Sequence, residues 1–429
     1  MSKNNKILIK GGRVIDPANK LDAIADILIE NGKITEVGKA LSAEGAKKID
    51  AEGQIVIPGI VDMHVHLREP GREDKETVAS GTRAALKGGV TSLLAMPNTL
   101  PAIDSQQNYR LLKSIIEETA QANVVIAGSI TRGRLGRELT DIAQLKSSGA
   151  IAISDDGSSV ESEALMLEAL KQAAKENLLV IAHCEDKKLC ANGVVNAGLT
   201  ATRMGLRGIS RESEYKRVER DIALAEQAGA RLHIAHVSCA ESVEIIAKAK
   251  KKGIKVTCEV TPHHFTLDES AVLGYDSNMK MNPPLRGKDD IAALRQGLAN
   301  GTIDAIASDH APHTENEKAI EFERAEFGVV GLETELAAAI SELSEKKILD
   351  WPELVRKISF NPAKILGIAK GSLQAGNDAD LVVVSADKEW IVDRSGLFSK
   401  SRNCAFLGKQ LKGVVEYTIY AGKIAYQRG

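Results

Sequence analysis

Aromatic residues are scarce in this chain: 2 Trp, 6 Tyr and 6 Phe, or 3% of 429 residues. So few rings argue against base-stacking platforms for nucleic acid. Charge of one sign is missing as well. Lys plus Arg total 56 and Asp plus Glu 58, a net charge of −2, so no polyanion-binding surface is announced. The five cysteines (Cys184, Cys190, Cys239, Cys258, Cys404) are odd in number and scattered, with no Cys-x-x-Cys. That excludes a disulfide framework, argues against a structural tetrahedral zinc site and fits a reducing compartment. No run approaches the roughly 18 apolar residues of a membrane span. The opening MSKNNKILIKGG is charged where a secretory leader is apolar. A cytoplasmic protein with neither membrane nor nucleic acid as partner is expected.

What is present is an apolar fraction of 43%, enough for a substantial core. It runs in two rhythms. At the ends, KILIKGGRVIDPANK, ADILIENGKITEVG and KIDAEGQIVIPG are short alternating segments broken by Gly, Asn-Gly and Pro, which read as β-hairpins. DLVVVS, EWIVD and GVVEYTIYAGKIAYQRG repeat that style near the C-terminus. Each end alone lacks a core, so the two predict one small β-sandwich-like domain built from 1–56 and 370–429. Between them, over 57–369, eight strand-like runs alternate with helix-period stretches: GIVDMHVHL, TSLLAMPN, NVVIAGSI, AIAISDDG, LLVIAHCE, RLHIAHVS, KVTCEVTPHH and DAIASDHAPH. The pattern predicts an α/β fold, a (β/α)8 TIM barrel. A doubly wound sheet is the alternative; the count of eight and the missing Gly-x-Gly-x-x-Gly turn weigh against it.

Metal-competent side chains follow the apolar runs. His64 and His66 end the first, Asp155 and Asp156 the fourth, His183 the fifth, His236 the sixth and Asp309 the eighth. One such histidine is ordinarily a hydrogen-bonded core residue. Five strands carrying them at the same end is another matter, because the C-terminal strand ends of a barrel form one rim. Four histidines and two carboxylates suit two divalent ions sharing a carboxylate, with zinc, cobalt or manganese fitting the donor types. On an extended strand residues i and i+2 point the same way, so His64, His66 and Arg68 are expected to share one face at the end of the first strand. Neighbours on an extended strand face opposite ways, so only one of Asp155 and Asp156 is placed to bridge.

In that order, DMHVHLREPG, AMPNT, ISDDG, AHCED, HIAHVS, EVTPHH, MNPPLR, SDHAPH and GLET resemble the amidohydrolase superfamily, and within it the class I (bacterial type) dihydroorotases. His-x-His alone is shared with hydantoinases and allantoinases; HLREPG together with MPNT and MNPPLR is far more specific. The resemblance covers essentially the whole chain. It implies reversible, zinc-dependent hydrolysis of L-dihydroorotate to N-carbamoyl-L-aspartate, used in the ring-closing direction in pyrimidine (UMP) synthesis. It implies two Zn2+ per subunit, one held by His64, His66 and Asp309, the other by His183 and His236, with Asp156 bridging. Many relatives bridge with a carbamylated lysine; the AISDDGSS strand end has none, and Asp156 is the matching position. Asp309 then carries the catalytic proton from the attacking hydroxide to the leaving ring nitrogen. Arg68, Asn98 and His313 match the residues that grip the substrate carboxylate, with His66 beside them. Asn282 and the backbone at Phe327 and Gly328 match the contacts to the ring amides.

The remaining histidines, His233, His263, His264 and His310, are expected to pack or to support the site. Cys184, beside His183, is ordinarily a small buried side chain; its alternative is a spare zinc ligand at a half-filled site. The missing lysine and the Arg68/Asn98 pair separate the chain from hydantoinases and allantoinases. The full histidine set separates it from dihydroorotase-like chains that have lost metal histidines and serve only as structural partners of aspartate carbamoyltransferase. Docking of an active chain onto that transferase, and a homodimer, are the partner expectations. The segment between MNPPLR and SDHAPH, and HTENEKAIEFERAEFG after it, read as charged loops near the mouth, one of which would close over substrate. The 186–218 stretch, rich in Gly, Arg and Lys, reads as a long excursion after the fifth strand: a lid, a partner surface or, by default, a solvated face.

Overall fold

A computed structural model describes residues 6–429; residues 1–5 of the expected small domain lie outside the described residues. Eight parallel strands form the barrel: Ile60–Val65, Val90–Ala95, Asn123–Gly128, Ala152–Ser154, Leu179–Ala182, Arg231–Ile234, Val256–Val260 and Ala305–Ile306. They coincide with the eight apolar runs, and each pairs with the next in sequence. Closure comes through the Val65–His310 bridge and the His66 N–H, which donates to the His310 carbonyl at 2.9 Å.

Side-chain alternation divides the apolar residues between two layers. Val180 packs with Ala169, Leu170 and Ala173 of the helix Glu163–Lys175. Its neighbours Leu179 and Ile181 pack instead with Met63, Leu94 and Ala305. Local chemistry starts the helices where the sequence signals them. Thr77, Ser105 and Ser162 each accept a hydrogen bond from an amide of the first turn, a cap worth about 1 kcal/mol.

The second sheet draws on both chain ends, in the order Lys423–Gln427, Gln410–Tyr420, Leu381–Ile391, Ile55–Pro58, Lys6–Asp16, Leu21–Glu30, Lys33–Gly38. Antiparallel hairpins join the last three, as expected. KIDAEGQIVIPG differs: Lys47–Asp50 and Ile55–Pro58 do not pair with each other but both run parallel to Lys6–Asp16. Two short strands sharing one long partner mimic a hairpin in sequence. The apolar run IVIPGI also splits, Ile55–Pro58 entering the end sheet and Ile60–Val65 the barrel. Gly59 is the seam, where a Cβ would lie 2.0 Å from Thr91 Oγ1.

Two loop expectations are corrected. The segment between MNPPLR and SDHAPH is mostly the helix Lys288–Ala299, with the Asp290 carboxylate accepting from the Gly287 amide. Lys288 and Asp289 lie on the exposed face of an amphipathic helix, and Asp290 is buried in an ion pair with Arg211. The 186–218 excursion is folded. It pairs Val195–Asn196 with Gly208–Ile209 and packs Val195, Ala201 and Met204 on Val272 and Phe322. Among the described residues no helix is long and apolar enough to cross a membrane.

Candidate active site

All nine histidines of the chain are buried, and four of them meet two aspartates at the C-terminal rim. His64, His66 and Asp156 bring one ligand atom each within 4.8 Å of one another, and so do Asp156, His183 and His236. Asp156 is common to both groups. Its Oδ1 lies 3.2 Å from His64 Nε2 and 3.5 Å from His236 Nε2, and its Oδ2 3.4 Å from His66 Nε2. Asp309 joins on the His64/His66 side, its Oδ1 3.2 Å from His66 Nε2 and 3.6 Å from His64 Nε2. His64 Nε2 and Asp156 Oδ1 are buried with no hydrogen-bond partner. Orphaned lone pairs converging on one point are what a cation satisfies and what a sealed core avoids, so the donor set fits divalent metal.

Electrostatics agree with that fit. Burial alone would raise the Asp156 carboxyl, but His64, His236 and His66 hold it well below the usual carboxylate range. Asp309 is likewise held low against burial, by His64, His66 and His236. Backbone strain is concentrated at the same rim: Arg68, His236 and Asp309 have φ of 63°, 34° and 47°. Left-handed non-glycine residues cost about 1–3 kcal/mol each and gather at functional sites.

The neighbouring carboxylates separate cleanly. Asp155 turns to the loop after the third strand, where its Oδ1 accepts from the amides of Ile130 and Thr131 at 2.9 and 3.0 Å and its Oδ2 from the Thr131 hydroxyl. Cys184 is corrected as a spare ligand. Its Sγ points away from His183 towards Asp221, 3.8 Å off, and burial with Asp221 and Glu214 pushes the thiol well above its ordinary value.

Three buried carboxyl groups beneath the site escaped the sequence reading. Glu259 Oε1 accepts a hydrogen bond from His64 Nδ1–H at 2.7 Å, which fixes the tautomer that points the Nε2 lone pair at the cluster. Burial would raise Glu259, but His64 and His233 bring it down to about 2. Asp62 accepts from the His64 amide at 3.0 Å and from Ser308. Glu335 is 0% exposed, and its carboxyl is driven well above the ordinary value by burial and by Asp62 and Glu259. Asp62 and Glu259 open the DMHVHLREPG and EVTPHH motifs and put a charge inside an apolar strand, but neither signal assigned them a role; Glu335, in a helix, gave none.

Two expected outcomes follow from these supports. Glu259→Gln should weaken metal binding about 10- to 100-fold, read by competition with a chromogenic chelator. Glu335 binds its proton in the folded state and releases it unfolded, so it subtracts stability progressively as pH rises from its unfolded value towards its raised folded one. Glu335→Gln removes that loss and should raise the melting temperature of metal-free protein more at pH 8 than at pH 5. A gain independent of pH would contradict it.

Beside the cluster opens a cavity of about 240 Å³ lined by His66, Arg68, Asn98, Asn282, Asp309, His313, Phe327 and Gly328 among others. It gathers every residue the sequence reading assigned to substrate. Asn98 Oδ1 accepts from His66 Nδ1 at 2.7 Å, which leaves its amide nitrogen free for the pocket. Arg68 is drawn down by burial to about 10 and stays a cation at neutral pH; its Nη2 lies 3.3 Å from His313 Nε2. Burial, Arg68 and Lys75 bring His313 down to about 2, so the ring is neutral. Lys75, which the sequence reading missed, lies 3.0 Å from His313 Nδ1, so the neutral ring has a cationic donor at each nitrogen, Lys75 on Nδ1 and Arg68 on Nε2. Asn282 Nδ2 donates to Glu185 Oε1 at 2.9 Å, and the other oxygen of Glu185 lies 3.9 Å from His183 Nε2. His264 is structural, between Thr261 Oγ1 and the Pro283 carbonyl. His310 receives the Gly331 amide and faces Glu76, while His233 faces Thr257 and Glu259.

Known proteins agree with this geometry. A family profile described as dihydro-orotase-like matches residues 53–242. The chain is 52% identical to the dihydroorotase of Elusimicrobium minutum over 99% of its own length and 98% of that protein's. It is 49% identical to the dihydroorotase of Pelotomaculum thermopropionicum, over 98% and 99%. Among solved structures, the L-hydantoinase (dihydropyrimidinase) of Arthrobacter aurescens superposes with a TM-score of 0.90 at 26% identity, covering 100% of this chain and 97% of that one. At half the residues identical from end to end, with one barrel and one convergent His/Asp cluster, the chain belongs to the dihydroorotase family of metal-dependent cyclic amidohydrolases.

Proposed function

We propose that the barrel unit, 57–369, interconverts L-dihydroorotate and N-carbamoyl-L-aspartate, with 1–56 and 370–429 as a separate small β-domain. The observation that carries this reading is the shared wall: Arg68, Asn98 and His313 border the same cavity as Asp156 and Asp309. A guanidinium and an amide N–H are the donors a ring-borne carboxylate needs, and with the His313 ring beside them they stand next to a cluster built for cations. Two zinc ions are the proposed cofactors, with His64, His66 and Asp309 on one, His183 and His236 on the other and Asp156 between them. When bound, such ions lower the pKa of water and polarise an amide carbonyl.

The chain's own residues do the rest. Arg68 and His313 fix the carboxylate, and Asn282 with the Phe327–Gly328 backbone fixes the ring amides. Asp309 removes the proton from the water that adds to the ring carbonyl carbon, then delivers it to the ring nitrogen as the C–N bond breaks. The ring opens to a carboxylic acid that releases the second proton of the water to solvent as it becomes a carboxylate, and the reverse sequence takes that proton up and closes the ring. Free cysteines throughout fit a cytoplasmic setting. A two-fold homodimer, and docking of the active chain onto aspartate carbamoyltransferase, are carried as assembly proposals and are read by sizing chromatography with and without the transferase.

The functional test is a substrate panel on purified protein before and after chelation. Dihydroorotate should exceed hydantoin and allantoin by at least about 10²-fold in kcat/KM, fall to background in chelator and recover with zinc. Preference for hydantoin, or full turnover without metal, overturns the reading.

A further inference from the structure

The charged segment after the eighth strand, expected to move, is held from within by two buried lysines. Lys280 and Lys318 are 2% and 6% exposed. Lys280 Nζ donates to the carbonyls of Phe322, Glu323 and Ala325 at 2.8, 2.9 and 2.6 Å. Lys318 Nζ donates to the carbonyls of Lys280, Glu326 and Gly328 at 3.3, 2.8 and 3.0 Å. An ammonium has three donors, and in both residues all three go to main-chain oxygens. The Lys280 carbonyl accepts in turn from the Gly328 amide at 3.0 Å, and its ammonium sits 4.4 Å from the centroid of the Phe327 ring. Asn403 Nδ2 holds the Gly328 carbonyl from the other side at 3.0 Å. Residues 322–328 therefore have little regular structure of their own but a cationic centre at each end.

The placement matters for the site. Lys280 stands two residues before Asn282, so one short stretch anchors both Asn282 and the segment carrying Phe327 and Gly328. Burying an ammonium is costly unless its donors are satisfied; charge-assisted bonds to carbonyls are about twice as strong as neutral ones and satisfy oxygens that a loop without a ladder leaves free.

We propose that Lys280 and Lys318 are positioning residues whose ammonium groups centre a carbonyl cage, holding Phe327 and Gly328 as a preformed wall of the substrate cavity and not as a closing lid. The proposal rests on the assignment of Phe327 and Gly328 to the substrate ring. Burial draws Lys280 down to about 8 against Glu326 and Glu323. Burial and Lys280 together draw Lys318 down to about 7, against Asp276 and Glu326. The test is accordingly run on the metal-loaded enzyme at about pH 6, below both values.

Lys280→Met and Lys318→Met should each raise KM for dihydroorotate about 10-fold or more while kcat changes less than about threefold and bound metal is unchanged. Trypsin supplies a readout that needs no substrate, because Arg324 lies inside the caged segment with its side chain 75% exposed. Cleavage after Arg324 should be slow in the wild type, change less than about twofold with saturating dihydroorotate, and accelerate at least about 10-fold in either variant. Strong protection of wild-type Arg324 by substrate makes the segment a lid and overturns the proposal. Variants as resistant as wild type overturn the cage, and a loosened segment with unchanged KM overturns the wall. Should one lysine variant fail to fold, the other variant and the wild-type digestion still decide. An inactive wild type whose lysine variants lose Arg324 protection would sink the functional reading and leave the cage standing.

Discussion

Asp309→Asn should lower kcat by about 10³-fold or more, the upper part of the range for a positioned acid–base group, while the protein stays folded. Asparagine keeps the shape of aspartate but takes up no proton at this site. The backbone at 309 sharpens the experiment. Its φ of 47° lies in the left-handed region, which asparagine enters with little strain and alanine does not. Asp309→Asn therefore separates chemistry from backbone conformation, whereas Asp309→Ala mixes the two. The side chain lies 3.2 Å from His66 Nε2 and 3.6 Å from His64 Nε2, so metal content is measured alongside. A loss of kcat larger than the loss of metal supports the proton-carrying role. A variant within tenfold of wild type would sink it, and Asp309 would be a ligand only.

The sequence carried the barrel because a parallel strand covered on both faces needs an unbroken apolar run, and five of the eight runs ended in a metal-competent histidine or aspartate. His183 and His236 were legible for that reason. Groups whose role depends on a distant partner were not. Glu335 matters only because the fold brings it against Asp62 and Glu259, and Lys75 only because its ammonium meets His313; neither spacing nor periodicity encodes those meetings. Pairing direction was invisible for a similar reason. Lys47–Asp50 and Ile55–Pro58 read as the arms of a hairpin, and nothing in their residues says that both add in parallel to Lys6–Asp16. Charge misled in the helix Lys288–Ala299, where Lys288 and Asp289 lie on the exposed face while Asp290 is buried against the Gly287 amide and Arg211.

Adjacent aspartates should give opposite phenotypes. Asp156→Ala removes the one carboxylate within reach of His64, His66 and His236, and with it the anion common to both ligand groups. Retained metal should fall at both positions together, and kcat by at least about 10³-fold. Asp155→Ala strips the acceptor from two main-chain amides and a hydroxyl, all buried, in the loop after the third strand. Unsatisfied buried donors cost about 1–3 kcal/mol each, so the melting temperature should drop by several degrees while the remaining folded fraction keeps its metal and turns over within a few-fold of wild type. The contrast is the informative result, because both substitutions delete the same atoms one residue apart. Metal analysis by atomic emission, a thermal melt and a single assay on the two variants read it directly. If Asp155→Ala loses metal, or if Asp156→Ala loses ions from the His183/His236 group alone, the shared-carboxylate arrangement is wrong. Loss from both positions in Asp156→Ala alone means that one side chain, two residues past the end of a three-residue strand, holds the two halves of the site together.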